Sequence, residues 1–133
     1  MADMCRAISV PCEIGFMCAK SYYQGTVSTG IVNITLDLDQ DISGYHVIIV
    51  EDIIDTGLTL SEVIKEFKKR EIASYEVVTL VDKPEGRKVE GVNAKYSGFN
   101  IPNKFVIGFG LDYNEVYRNL PYIGVLKRSV YEK

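Results

Sequence analysis

Apolar positions along this 133-residue chain fall into short runs with two different periods. The most telling run is Val47-Ile48-Ile49-Val50, continuous, β-branched and too short for a helix of its own. It predicts a strand buried on both faces, as in a parallel sheet under helices. The run stops at two acids, Glu51 and Asp52, and after Ile53-Ile54 the cluster Asp55-Thr56-Gly57 reads as a turn. From Thr59 to about Arg70 the period changes: Leu60, Val63, Ile64 and Phe67 fall at helical spacing. Upstream, Met1 to Ile8 reads as the end of an amphipathic helix and Cys12 to Cys18 as a strand. Lys20 to Gly30 is a polar stretch, Ile31 to Leu38 alternates, and Asp39 to Gly44 is a turn. Downstream, Glu76 to Asp82 predicts another strand, Glu85 to Gly91 a polar loop, and Phe105 to Ile107 and Tyr122 to Leu126 two short strands. Strands alternating with helical segments imply an α/β fold on a mostly parallel sheet.

Composition narrows the class. The length suits a single domain, 1–133, with a modest core, and 47% hydrophobic with 25% charged residues is ordinary for a globular chain. A net charge of −3 gives no general attraction to nucleic acid. No apolar stretch approaches the roughly 20 residues of a membrane span and no signal peptide is visible, so the cytoplasm is the expected location. Cys5, Cys12 and Cys18 form no Cys-x-x-Cys pair and suit reduced, mostly buried thiols. The single histidine, His46, reads as a strand-edge residue rather than a base.

The chemistry concentrates where the central strand hands over to its helix. Ligands of open α/β sheets bind at such carboxyl ends. Carboxylates hold a sugar diol or a divalent cation, and a small-residue turn at a helix N-terminus points backbone N–H groups at an anion. One loop is therefore equipped for a phosphorylated sugar. An ATPase reading would need Gly-x-x-x-x-Gly-Lys-Ser/Thr, which Gly15 to Ser21 fails, and Gly108 with Gly110 is only a fragment of a dinucleotide fingerprint. Taken singly, Lys83 would be a solvated lysine and Phe105 a core residue.

Their order changes that judgement. Val50 to Thr59 resembles the ribose-5-phosphate signature of type I phosphoribosyltransferases. Val81-Asp82-Lys83-Pro84 and the run Gly98 to Gly108 narrow the resemblance to the hypoxanthine-guanine branch, over the chain from its first residues to about Lys127. The fold implied is a type I phosphoribosyltransferase-like, Rossmann-like, mostly parallel sheet flanked by helices. Against that pattern the chain is expected to be incomplete at its amino-terminal end, without the family's first strand and pyrophosphate loop.

The resemblance implies purine salvage, with 5-phosphoribosyl moved from phosphoribosyl pyrophosphate to a 6-oxopurine base, hypoxanthine or guanine. The products would be IMP or GMP and pyrophosphate, and Mg2+ the cofactor. Asp55, Thr56, Gly57, Leu58 and Thr59 would cradle the 5′-phosphate, Ile54 would also bind substrate, and Glu51 and Asp52 would meet the ribose hydroxyls and the metal. Asp55 would be the catalytic acid/base at the purine N7. Lys83 would donate to the 6-oxo group, Phe105 would stack on the base and the Val106 carbonyl would accept from it. Leu111 would bind substrate, Asp112 would support the 2-amino end and a second metal, and Arg118 would face pyrophosphate. Ser21 and Tyr22 would open a flexible loop that closes over the site. A homo-oligomer, dimer or tetramer, is expected, with neither nucleic acid nor membrane as partner. The alternative is a catalytically impaired fragment or a nucleotide-binding regulatory protein of the same fold.

Overall fold

The structure, a computed structural model, describes residues 1–24 and 27–131, with side chains described for 1–19 and 32–131. A short helix α1 (Ala2–Ala7) precedes an irregular segment and an antiparallel hairpin of β1 (Cys18–Gln24) and β2 (Val27–Leu36). Then come β3 (His46–Ile54), α2 (Leu58–Lys69), β4 (Ser74–Asp82), a 3₁₀ turn (Pro84–Gly86) and β5 (Tyr96–Asn100). The chain closes with β6 (Val106–Ile107), β7 (Gly124–Val125) and α3 (Arg128–Tyr131).

The central sheet is parallel, in the order β3-β4-β5, and its register sets the geometry of everything above it. Ile54 lies beside Asp82, and Asp82 beside Asn100. The chain therefore leaves three neighbouring strands at one level, bringing residues 55–59, 83–87 and 101–105 to the same edge. α2 covers one side because Leu60, Val63, Ile64 and Phe67 bury one stripe against Ile49, Ile54 and Val77. Each such side chain contributes roughly 1.5–3 kcal/mol when fully buried. Lys68 and Lys69 lie in its last turn, where cations oppose the helix dipole. Beyond it, Arg70 donates two hydrogen bonds to Asp37, at 2.7 and 2.6 Å, and this guanidinium holds the Asp37 carboxyl below its usual range. A second cluster, Val81 with Val106 and Leu111, is padded by Ile53, Leu80, Ile101 and Ile123. It fastens the β6–β7 pair to the sheet.

Several expectations change. The central strand does not stop at the acids: pairing continues through Ile53–Val81 and Ile54–Asp82, so Glu51 and Asp52 are strand residues. Nor is it buried on both faces, since Ile48 is 50% exposed. Residues 12–17 form no strand, because the hairpin takes its first pairing at Cys18 with Leu36. The polar stretch from Lys20 is largely strand: Ser21 pairs with Val32, Tyr22 lies in β1, and the side chains of Ser21 and Tyr22 fall outside the described residues. β5 was not expected; every one of its residues is exposed, so no buried periodicity marks it. Cys12 is exposed and Cys5 and Cys18 are only half-buried, all three as free thiols. His46 does stand at the exposed start of β3, with its Nδ1 2.8 Å from the Ser74 hydroxyl. Among the described residues no helix is long and apolar enough to cross a membrane.

Candidate active site

The signature turn is built around Gly57, whose φ of 79° is a left-handed conformation that side chains resist. A Cβ there would also lie 2.9 Å from Val89 and 3.0 Å from Arg87. With this turn made, α2 begins: the Ser61 N–H donates to the Gly57 carbonyl at 2.9 Å. The first turn of α2 carries the positive end of the helix dipole. The signature turn's carbonyls are hydrogen-bonded. Ile54 accepts from the Lys83 N–H and Thr56 from the Lys88 N–H, each at 2.9 Å, and Asp55 from the Arg87 guanidinium at 2.7 Å.

The side chains meet above this frame. Lys83 Nζ donates to Asp55 Oδ2 at 2.9 Å. The lysine is only 5% exposed, while the aspartate side chain is 45% exposed, so the pair presents an acceptor and a donor side by side at the rim. Ile54 and Leu111 are core residues, the first joined to the site through its carbonyl and the second packed under Val106. Thr56 Oγ1 accepts weakly from the Leu58 N–H at 3.4 Å. Phe105 stands just before β6, 37% exposed, its ring edge-on to Tyr113 at 5.6 Å and tilted over Tyr131 at 5.2 Å. Its carbonyl accepts from Leu126 at 2.8 Å. Successive carbonyls alternate along a strand, so that of Val106 points away from β7.

Successive strand residues also point to opposite faces, and this separates the two acids. Glu51 is half-buried, lining with Thr59 and Val63 a cleft of about 400 Å³ along β3. Burial first, and then the charge of Asp52, pushes its carboxyl up to about 7. Asp52 is exposed and close enough to Arg118 to help hold that guanidinium's proton. Arg118 is bound first by a hydrogen bond to Glu115, at 3.0 Å, and pairs with Asp112 at 3.1 Å. The loop carrying these groups turns at Asn114-Glu115, both with positive φ, closed by paired hydrogen bonds between Tyr113 and Val116. The structure thus brings together Asp55, Lys83 and the helix turn, and separately Asp52, Asp112 and Arg118.

No three acids, histidines or cysteines converge on one point among the described residues. The Asp52 and Asp112 carboxylates fit Mg2+, which is usually held by one or two carboxylates together with substrate phosphates. Sequence reasoning missed Asp82, Gly86 and Arg87, which surround the Asp55–Lys83 pair. The signal available was a glycine and an arginine close behind Lys83 in a charged loop.

Known proteins resemble this chain over nearly all of its length. Residues 2–114 match the model of the phosphoribosyl transferase domain. The chain is 56% identical over 131 residues to the hypoxanthine-guanine phosphoribosyltransferase of Streptococcus pneumoniae, covering 98% of this chain and 72% of that protein. With the Bacillus subtilis enzyme of the same name it shares 52% over 132 residues, 99% of this chain and 73% of the relative. A crystal structure of a hypoxanthine phosphoribosyltransferase from Staphylococcus aureus superposes with a TM-score of 0.92 at 48% identity, over 99% of this chain and 71% of that one.

Proposed function

We propose, because this chain belongs to the phosphoribosyltransferase family and within it to the hypoxanthine-guanine branch, that it serves purine salvage as a pentosyl transferase. It moves 5-phosphoribosyl from phosphoribosyl pyrophosphate to hypoxanthine or guanine, giving IMP or GMP and pyrophosphate. The observation that carries this reading is the Asp55–Lys83 pair beside the helix turn. A 6-oxopurine with a proton on N7 presents there a donor next to an acceptor, the complement of a carboxylate next to an ammonium. Adenine presents an amino donor instead of the oxygen, and a lysine can only donate. Sites built on such a hydrogen bond reject the wrong partner strongly.

The remaining roles follow the chemistry of each group. The N–H groups of residues 56–59 and the Thr56 and Thr59 hydroxyls take the 5′-phosphate. Asp52, on the exposed face of β3, meets the ribose hydroxyls, and its charge favours the cationic sugar of the transition state, while Glu51 lines the cleft on the other face. Asp55 takes the N7 proton as the bond to the sugar forms, which makes the attacking ring nitrogen more nucleophilic, and supplies a proton to N7 only in the reverse direction. Phe105 stacks on the base and the Val106 carbonyl accepts from its edge. Asp52 and Asp112 are the residues placed to hold Mg2+, which when bound with pyrophosphate neutralises the leaving group's charge. Arg118, paired with Asp112, binds pyrophosphate directly. Self-association as a homo-oligomer belongs to the same proposal.

Titration calorimetry tests the reading. IMP and GMP should bind, AMP at least about tenfold more weakly, and Asp55→Asn should lower turnover far more than nucleotide affinity. Equal affinity for IMP and AMP would refute the role of Lys83, and equal losses of binding and turnover in the Asp55 variant would refute its proton transfer.

A further inference from the structure

Asp55 and Lys83 are 28 residues apart and meet at the rim of the sheet, the lysine buried and the aspartate side chain half-exposed. The structure closes a ring around them. From Lys83 the 3₁₀ turn folds back, the Gly86 N–H donating to the Lys83 carbonyl at 3.0 Å and the Arg87 N–H to the Pro84 carbonyl at 3.3 Å. Arg87 then reaches the Asp55 carbonyl with Nη1 at 2.7 Å, while its Nη2 donates to the carboxylate of Asp82, the residue before Lys83. Both partners of that second bond are largely buried, at 14% and 13% side-chain exposure. The guanidinium fork therefore fixes the main chain of Asp55 against the side chain of Asp82, the neighbour of Lys83, and the Asp55–Lys83 ion pair closes the loop on the other side. Gly86 fills the inside of the ring. A Cβ on it would lie 2.5 Å from Asp55 Oδ1, and the atom able to give way is the carboxylate itself.

We propose that Arg87, anchored by Asp82, and the bare backbone of Gly86 are positioning residues that set purine selectivity by holding the Asp55 carboxylate and the Lys83 ammonium in register with the base edge. The proposal rests on the roles given to Asp55 and Lys83 above. It concerns the base half. The phosphate turn, whose Asp55 carbonyl Arg87 also holds, keeps two further ties, the Lys88 N–H on the Thr56 carbonyl and the Ser61 N–H on the Gly57 carbonyl.

Calorimetry of the whole chain with ribose 5-phosphate, IMP and AMP separates the two halves. In Gly86→Ala, which changes no charge, and in Arg87→Met, the preference for IMP over AMP should collapse to less than about threefold, with ribose 5-phosphate affinity kept within about twofold. Arg87→Lys should fall between, because an ammonium lacks the fork needed for both acceptors. Arg87→Met leaves Asp82 buried without its partner and should also melt earlier. Adding Asp82→Asn removes that unpaired charge, so the double variant should regain melting temperature without regaining preference. Selectivity retained in Gly86→Ala and Arg87→Met would overturn the proposal. So would ribose 5-phosphate affinity falling in step with IMP, or preference returning together with the melting temperature. A wild-type chain that binds ribose 5-phosphate yet shows no preference for IMP would instead refute the parent role of Lys83, before any variant is made.

Discussion

At the residue scale the clearest conflict is Glu51. It is a carboxyl half-buried beside apolar side chains and next to Asp52, and its proton is held up to about 7, against an ordinary value of 4.5. Below about pH 4.5 the group is neutral whether the chain is folded or not, and it costs nothing. Between about 4.5 and 7 the unfolded chain releases its proton first, so folding stability falls as pH rises. Above about 7 the cost is complete, roughly 3 kcal/mol as an upper figure. Glu51→Gln should therefore match wild type in urea denaturation at pH 4 and exceed it at pH 7.5; a variant no more stable at pH 7.5 would contradict this. Such a strained acid is suited to a ligand that brings hydroxyls or a cation. The identity of Asp55, Thr56, Gly57 and Lys83 as a set was legible in the sequence because motif residues carry their chemistry in their type and order. Arg87 and Gly86 were not legible: their reach to Asp55 depends on Ile54 lying level with Asp82, a register that no local pattern states.

At the element scale, legibility followed burial. The helical stripe on α2 and the apolar runs of β3 and β4 announced themselves because each places several side chains in a core. β5 left no such trace, since it pairs by backbone alone with its side chains exposed. The acids of β3 were read as a strand end because charge inside a strand is unusual, whereas pairing with β4 carries the strand past them. The weight resting on α2 can be measured. Phe67, 6% exposed, sits at the far end of the stripe from the phosphate turn. Phe67→Ala should cost about 3–5 kcal/mol, seen as a lower urea midpoint with an unchanged slope. Among molecules still folded at low temperature, ribose 5-phosphate affinity should stay near wild type, because the turn at Gly57 is fastened by β4's following loop rather than by the end of α2. A midpoint shift below about 1 kcal/mol would mean that the stripe contributes little.

At the scale of the whole molecule, the sheet has a second surface away from the chemistry. Phe99, Phe109 and Tyr122, each more than half exposed, rim an apolar cleft of about 520 Å³ floored by Leu80, Val81 and Ile123. Aromatic side chains bury about 150–250 Å² each when covered, so a second copy of the chain laid on this face would remove a large apolar area from water. The cleft backs onto the same loop that carries Asp112 and Arg118, a loop with positive φ at Phe109, Asn114, Glu115 and Tyr117. Covering its rear would hold that conformation in place. Phe99→Glu with Tyr122→Glu should therefore shift sedimentation to the 14.9 kDa species and weaken binding of Mg2+-pyrophosphate several-fold, while the preference for IMP over AMP survives. A chain that sediments at monomer mass before any substitution would remove the homo-oligomer from the proposal. A double variant that keeps the wild-type mass would move the interface to another face. The dissociated variant binding Mg2+-pyrophosphate as wild type does would show that the loop needs no neighbour, its conformation being set by the Tyr113–Val116 turn and the Arg118 hydrogen bond to the Gly110 carbonyl alone.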